Sequence, residues 1–109
     1  MDEEIITLTE TNDGETVTLG TRSHLYIVLH ATPASGYTWE AELTDPAVLE
    51  QIGEPEFQAD RTTPGSGGLV VFRFESRAEG ALALTMEYRR LWEQGVDPLS
   101  TFRVNVIVR

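Results

Sequence analysis

The sequence predicts an all-β protein, an antiparallel β-sandwich of seven or eight strands. Short segments in which apolar and polar residues alternate recur along the whole chain and are separated by turn residues. No segment shows sustained helical periodicity, and the spacing of the strands is typical of a sandwich. At 109 residues we expect a single domain, residues 1–109, which removes about two thirds of its surface from water on folding.

Two segments show the strand pattern most clearly. In residues 37–43, Tyr37, Trp39 and Ala41 alternate with polar side chains, so we expect Trp39 to lie in the core. Residues 101–108 alternate in the same way from Phe102 onwards. The predicted strands are residues 5–9, 16–19, 24–30, 37–43, 56–59, 69–75, 81–89 and 101–108, with one helical turn at 46–49.

The composition excludes several kinds of chemistry. The chain has no cysteine, which excludes a disulfide framework, a thiolate metal site and a cysteine nucleophile. Its eight basic residues are all arginine, and the absence of lysine excludes Schiff-base and P-loop chemistry. With 18 acidic residues the net charge is −10, so nucleic acid is a disfavoured partner because its phosphates would be repelled.

The sequence predicts neither a membrane-spanning segment nor an export signal. No apolar run approaches the roughly 20 residues that cross a bilayer, so we expect no membrane partner. The first residues, Met1-Asp2-Glu3-Glu4, are acidic where a secretory signal would be basic and then apolar. We expect a cytoplasmic protein, or an exported one whose signal has been removed.

Catalytic and metal sites are not predicted. His24 and His30 lie on one predicted strand, about 20 Å apart by strand rise, which is too far for one metal ion. The segment 64–68 fails the Gly-x-Ser-x-Gly pattern of a hydrolase nucleophile at its first position. We therefore expect a monomer that is not an enzyme, with no catalytic residues, no metal and no cofactor.

Three connections, residues 31–36, 60–68 and 90–100, are long or rich in glycine. An immunoglobulin-like order of the strands places all three at one end of the sandwich. In the first of them, Pro33 fixes one φ angle and Gly36 is able to adopt a positive φ, so we expect a stiff tip. Because rigid scaffolds present function on loops, the sequence predicts binding at this end.

The motifs in these three connections resemble those of the chagasin-type inhibitors of papain-family cysteine peptidases. Those proteins contain an Asn-Pro-Thr-Thr-Gly-Tyr/Phe loop, a glycine-rich loop and an Arg-Pro-Trp loop, in that order. The corresponding segments here are Thr32-Pro33-Ala34-Ser35-Gly36-Tyr37 followed by Thr38-Trp39, then Pro64-Gly65-Ser66-Gly67-Gly68, and then Arg90-Leu91-Trp92 after Tyr88. The resemblance covers essentially the whole chain.

The resemblance implies an immunoglobulin-like sandwich whose three loops straddle the cleft of a papain-family cysteine peptidase, which is the expected partner. By the same resemblance, residues 32–37 cover the catalytic cysteine and histidine of the peptidase. Residues 64–68 run along its cleft, and Arg90 and Trp92 pack against the far wall on the leaving-group side. The implied function is reversible, non-covalent and competitive inhibition.

Three positions depart from the family pattern. Thr32 replaces an asparagine, Leu91 replaces a proline, and Ala34 lacks a hydroxyl, which leaves Ser35 as the hydroxyl nearest the catalytic pair of the peptidase. Each change is expected to lower the affinity. They leave open an alternative function, an immunoglobulin-like module that binds a non-protease protein or a glycan without inhibiting.

Overall fold

Two β-sheets pack face to face in a computed structural model of the protein, which describes residues 4–60 and 67–109. This confirms the predicted all-β sandwich. The strands of the described residues are β1 Ile5–Leu8, β2 Thr16–Leu19, β3 His24–Ala31, β4 Tyr37–Leu43, β5 Leu49–Gln51, β6 Glu56–Ala59, β7 Gly68–Ser76, β8 Gly80–Arg90 and β9 Ser100–Val108. Two short 3-10 turns, Glu10–Asn12 and Pro33–Ser35, lie between strands. No described segment forms a helix that is long and apolar enough to cross a bilayer.

The first sheet has the order β1-β3-β7, and β5 and β6 both pair with the remaining edge of β7. The second sheet has the order β2-β9-β8-β4. The chain therefore begins in the first sheet with β1 and crosses to the second with β2. As a result β1 runs parallel to β3 and β2 parallel to β9, whereas the other pairs are antiparallel.

Apart from these two parallel pairs, and from shifts of one residue at several strand ends, the structure differs from the predicted antiparallel pattern at residues 46–51. The helical turn expected at residues 46–49 is shorter, because Val48 N–H donates to the Asp45 carbonyl at 3.1 Å in a single tight turn. Leu49 already belongs to β5, where it pairs with Ser76 of β7. The side chain of Leu49 is fully buried, and this burial favours the extended conformation over a helical one.

The core is built from the inward-facing residues of both sheets. The pattern predicted for the last strand is observed, since Phe102 and the three valines that alternate after it are buried. The largest fully buried side chains are Phe74, Phe102, Leu19, Leu25, Ile27, Leu29, Leu49, Leu84, Met86, Val104, Val106 and Val108. Trp39 packs against this cluster and donates from its indole nitrogen to the His30 carbonyl at 2.8 Å.

The strand register places three loops at the same end of the sandwich, which we name the loop pole. Ala31 pairs with Gly68, Tyr37 pairs with Arg90, and Tyr88 pairs with Ser100. The first loop (residues 32–36), the second (60–67) and the third (91–99) all leave the sheets from these pairs. The second loop is described at its two ends only, 60 and 67.

The two ends of the described chain lie at the opposite pole. The Glu4 carbonyl accepts the His24 N–H at 2.8 Å, and the Arg109 N–H donates to the Leu19 carbonyl at 2.9 Å. His24 begins β3, the strand that ends at the loop pole. Neither end of the described chain therefore approaches the three loops.

A buried serine joins three segments at this opposite pole. Ser76 is 1% exposed, and its hydroxyl donates to the Gly20 carbonyl at 2.6 Å and accepts the Ser23 N–H at 2.9 Å. Both backbone groups would lose this partner if the hydroxyl were removed. Ser76 therefore fixes the connection that precedes β3.

We expect Ser76→Ala to lower the free energy of unfolding by about 1–3 kcal/mol, because it leaves buried polar groups unsatisfied. Urea denaturation followed by circular dichroism measures the change. Ser100→Ala is the matched control, since Ser100 is exposed and its truncation should alter stability by at most about 0.5 kcal/mol. Equal effects of the two variants would contradict the structural role of Ser76.

Candidate functional site

The first loop is a compact turn held by its own hydrogen bonds. Ser35 N–H donates to the Thr32 carbonyl at 2.9 Å, and Gly36 N–H donates to the Pro33 carbonyl at 3.0 Å. Pro33 occupies the start of the 3-10 turn, and Gly36 ends it with φ +86°, in the left-handed region that glycine adopts without strain. The positive φ that the sequence predicts for Gly36 is thus observed.

The hydroxyl of Ser35 is used within this loop. It donates to the Thr32 carbonyl at 2.6 Å and accepts the Tyr37 N–H at 3.2 Å. The proton of the hydroxyl therefore points back into the turn. Ser35 shapes the first loop in this structure, and only acceptor capacity is left for a partner.

A buried tyrosine anchors the start of the same loop. The Tyr88 hydroxyl accepts the Thr32 N–H at 2.9 Å. The Tyr88 ring stacks between Trp39, with ring centroids 4.8 Å apart, and Tyr37, at 5.3 Å. These three rings, which we name the aromatic column, extend the core as far as the loop pole.

The second loop approaches the first one closely. Gly67 has φ +94°, and a Cβ atom at this position would stand 2.5 Å from the Ala31 carbonyl oxygen and 2.7 Å from the Thr32 hydroxyl oxygen. At Gly68, an added Cβ atom would overlap the Gln58 carbonyl oxygen of β6. Both glycines are thus required by packing within the protein. The other predicted site residues of this loop, Pro64, Gly65 and Ser66, lie outside the described residues.

The third loop exposes several large apolar side chains. Leu91 is 59% exposed, Trp92 69% and Leu99 62%, and Val96 is exposed as well. Within the loop, Glu93 N–H donates to the Arg90 carbonyl at 3.2 Å, and Leu99 N–H donates to the Tyr88 carbonyl at 2.8 Å. The loop is therefore tied to β8 at both ends while its apolar side chains face solvent.

The third loop and Arg90, the last residue of β8, also contact the first loop. The Arg90 Nε donates to the Ser35 carbonyl at 3.1 Å, and the guanidinium carbon lies 4.4 Å from the centroid of the Tyr37 ring. The Trp92 ring lies against Gly36, where an added Cβ atom would overlap it. The structure therefore brings together the described site residues of all three loops.

Phe57 of β6 and Pro55 form an apolar wall beside the first loop. Neither residue is among the predicted site residues. Phe57 of β6, 41% exposed, lines a cleft of about 210 Å³ with Pro33, Tyr37 and Pro55. A second groove, of about 230 Å³, lies between the first loop and Asp60 and Gly67 of the second. The signal in the sequence was a large aromatic residue, Phe57, within a polar edge strand.

Strand β6 is held in place by an ion pair. Arg73 of β7 donates from Nη2 to the Glu56 carboxylate at 2.9 Å, and its guanidinium lies 5.5 Å from the centroid of the Tyr26 ring. The hydrogen bond to Glu56 raises the pKa of Arg73 above its ordinary value. Elsewhere in the described ranges, no group of three or more His, Asp or Glu side chains is arranged to hold a metal ion.

A family comparison accounts for this arrangement. Residues 18–106 match the model of the family described as chagasin family peptidase inhibitor I42. The chain belongs to this family. The resemblance noted from the three loop motifs is confirmed, and so is the prediction that this chagasin-family protein is not an enzyme, because the family consists of peptidase inhibitors.

Individual relatives and solved structures agree with the family assignment. Amoebiasin-1 of Entamoeba histolytica is 29% identical over 105 residues, which cover 93% of this chain and 99% of the relative. The crystal structure of the cysteine protease inhibitor EhICP2 from Entamoeba histolytica has a similar fold, with a TM-score of 0.86 and 22% identity over 98% of this chain and 97% of that one. PbICP-C, solved in complex with falcipain-2, has a TM-score of 0.62 at 14% identity, covering 100% of this chain and 94% of that one.

We expect Tyr88→Phe to loosen the first loop of this chagasin-family protein. The substitution keeps the aromatic column but leaves the Thr32 N–H without its acceptor, at a cost of about 1–3 kcal/mol. Hydrogen exchange followed by NMR should show faster exchange of the Thr32 amide. The Ser76 amide, which bonds to the Ser23 carbonyl at the opposite pole, is the internal reference, and unchanged Thr32 exchange would contradict the anchoring role.

Proposed function

We propose that the protein is a reversible, competitive inhibitor of papain-like cysteine peptidases, with the three loops of the loop pole seated in the active-site cleft. The observation on which this depends is that the loops converge into one edge that exposes Trp92. Family membership and the fold shared with EhICP2, a cysteine protease inhibitor, support it. PbICP-C in complex with falcipain-2 supports a direct complex with a protease as the mode of action.

The first loop suits a cleft because it resists cleavage. A peptide that is cut must present its scissile carbonyl to the attacking thiolate in an open, extended form. Pro33 and Gly36 instead hold the backbone in a tight turn in which the Ser35 and Gly36 amide hydrogens are bonded within the loop. Such a loop fills the cleft without becoming a substrate, and its stiffness reduces the entropy lost on binding.

The third loop suits the wall of a cleft because it is apolar and exposed. Leu91, Trp92, Val96 and Leu99 together offer a cluster of large side chains that water solvates poorly. Tryptophan is among the residue types that dominate interface energies. We place Trp92 at the centre of this contact, with the first loop over the catalytic pair and the second loop along the cleft.

The apolar wall formed by Phe57 and Pro55 borders the same pole. It extends the proposed contact surface beyond the three loops and towards the first sheet. We expect the three loops with this wall to bury an area comparable to a standard interface, about 800 Å² on each partner.

We expect the protein to inhibit papain or a related peptidase at sub-micromolar concentration, and Trp92→Ala to raise the inhibition constant about 30-fold, as expected for a central interface residue. Ile5→Ala is the control, since Ile5 is 60% exposed but lies at the opposite pole. Peptidase assays with a fluorogenic peptide measure both effects. No inhibition by the wild-type protein at tens of micromolar across a panel of papain-like enzymes would refute the proposal and favour the alternative binding module.

The mode of inhibition gives a separate test. Because the loops occupy the cleft without forming a bond, we expect the apparent KM of the peptidase to rise while kcat is unchanged. Activity should return on dilution of the complex, and mass spectrometry should show an uncut inhibitor chain. A fall in kcat at unchanged KM would show binding outside the cleft.

A further inference from the structure

The Trp92 ring packs directly against the backbone of Gly36. A Cβ atom at Gly36 would overlap Cη2 of Trp92 and stand 3.1 Å from Cζ2 and 3.2 Å from Cζ3. One edge of the indole therefore rests on the backbone of the first loop, although the side chain is 69% exposed overall. The same residue thus faces solvent and supports a loop to which it does not belong.

Arg90, the last residue of β8 before the third loop, adds a second link to the first loop. Its Nε donates to the Ser35 carbonyl at 3.1 Å. The guanidinium carbon lies 4.4 Å from the Tyr37 ring centroid and 5.9 Å from that of Trp92, and Nη1 lies 3.7 Å from the Glu93 carboxylate. The head of Arg90 thus lies against groups of its own chain, and its Nε donor is already used within the protein.

We propose that Arg90 and Trp92 form a cross-loop clamp, in which Arg90 holds the Ser35 carbonyl and Trp92 covers Gly36, and that Trp92 acts as a positioning residue for the first loop. Glycine is then required at position 36 because the Trp92 ring leaves no space for a side chain, as well as for the backbone conformation. The effect of the clamp on inhibition rests on the proposed function. The clamp itself is a property of the free protein.

The clamp has a physical consequence for binding. The first loop is only five residues long, but its two ends emerge from different sheets, at Ala31 of β3 and Tyr37 of β4. Sheet pairing holds Ala31 and Tyr37 on either side of the loop but does not extend to Ser35 and Gly36. A ring on Gly36 and a hydrogen bond to Ser35 fix the two loops in one arrangement before a partner arrives, which lowers the ordering cost of association.

A matched control separates two roles of Gly36, the contact with the Trp92 ring and the left-handed backbone conformation. Gly14 has φ +87°, almost the same as the +86° of Gly36, but a Cβ atom there would meet nothing within 4 Å. Alanine at either position suffers the same left-handed strain. Only at Gly36 does it also displace the Trp92 ring, whose far edge is free to swing into solvent, so we expect the variant to fold.

The first experiment needs no peptidase. The chain has two tryptophans, so protein labelled with 5-fluorotryptophan gives two ¹⁹F resonances, which Trp92→Phe assigns. Gly36→Ala should shift the Trp92 resonance and leave that of Trp39 in place, while Gly14→Ala should move neither. In Trp92→Ala, the Ser35 and Gly36 amides should exchange faster than in the wild-type protein.

The second experiment is a double-mutant cycle on the inhibition constant. We expect Gly36→Ala to raise the constant about 30-fold in the wild-type protein and less than about threefold in the Trp92→Ala background, because contacting residues are coupled. If Gly36 and Trp92 each touched the peptidase independently, the two effects would multiply. Multiplicative effects would overturn the proposal.

The two experiments distinguish the clamp from the proposed function. If the wild-type protein inhibits no peptidase, the proposed function fails, and the fluorine and exchange measurements still decide whether the clamp exists. If the wild-type protein inhibits but Gly36→Ala leaves the Trp92 resonance unchanged, the clamp proposal is wrong and the proposed function stands. A shifted resonance together with faster exchange in Trp92→Ala and a non-multiplicative cycle supports both.

Discussion

The register between β4 and β8 is the constraint on which the loop pole depends. This pairing sets Trp39 opposite Tyr88 and Tyr37 opposite Arg90, so the side chains on the inner face stack in sequence from the core outwards. A shift of β4 by one residue would turn Tyr37 and Trp39 to the other face of the sheet. The aromatic column is therefore the means by which the rigidity of the core reaches the first loop.

The described glycines of the site are required for two reasons, a positive φ angle and a lack of space for a side chain. Gly36 and Gly67 adopt positive φ angles, and both also lie where a side chain would collide with another part of the protein. Gly68 is confined by β6 alone. A glycine-rich motif thus reflects the need to bring the loops together, in addition to any need for close approach to a partner. Ser35 also has a role within the protein, because its hydroxyl is bonded within its own turn.

Much of the fold was predictable from alternation, because a sheet with one buried face imposes a period of two on its side chains. Tyr37–Leu43 was bounded correctly for that reason. The three-residue strand β5 was missed, since only Leu49 faces the core and so short a segment has no visible period. The parallel pairing of β1 with β3 and of β2 with β9 was not predictable either, because alternation does not indicate the direction of the neighbouring strand.

The site was predictable as motifs but not as contacts. Thr32–Tyr37 and Arg90–Trp92 were recognised because each lies within a short segment of sequence. The contact of Trp92 with Gly36, and the position of Phe57 beside Pro33, depend on how distant strands pair. No local pattern contains that information. The departures at Ala34 and Leu91 lie at exposed positions, and the first and third loops converge in their presence.

Glu4 and Arg109, the two ends of the described chain, both lie at the pole opposite the loops. A tether, a label or a neighbouring domain that starts from this pole leaves the loop pole unobstructed. Two copies joined through these ends would present their loops outwards, and a linker long enough to span two partners would raise the effective concentration of the second binding event.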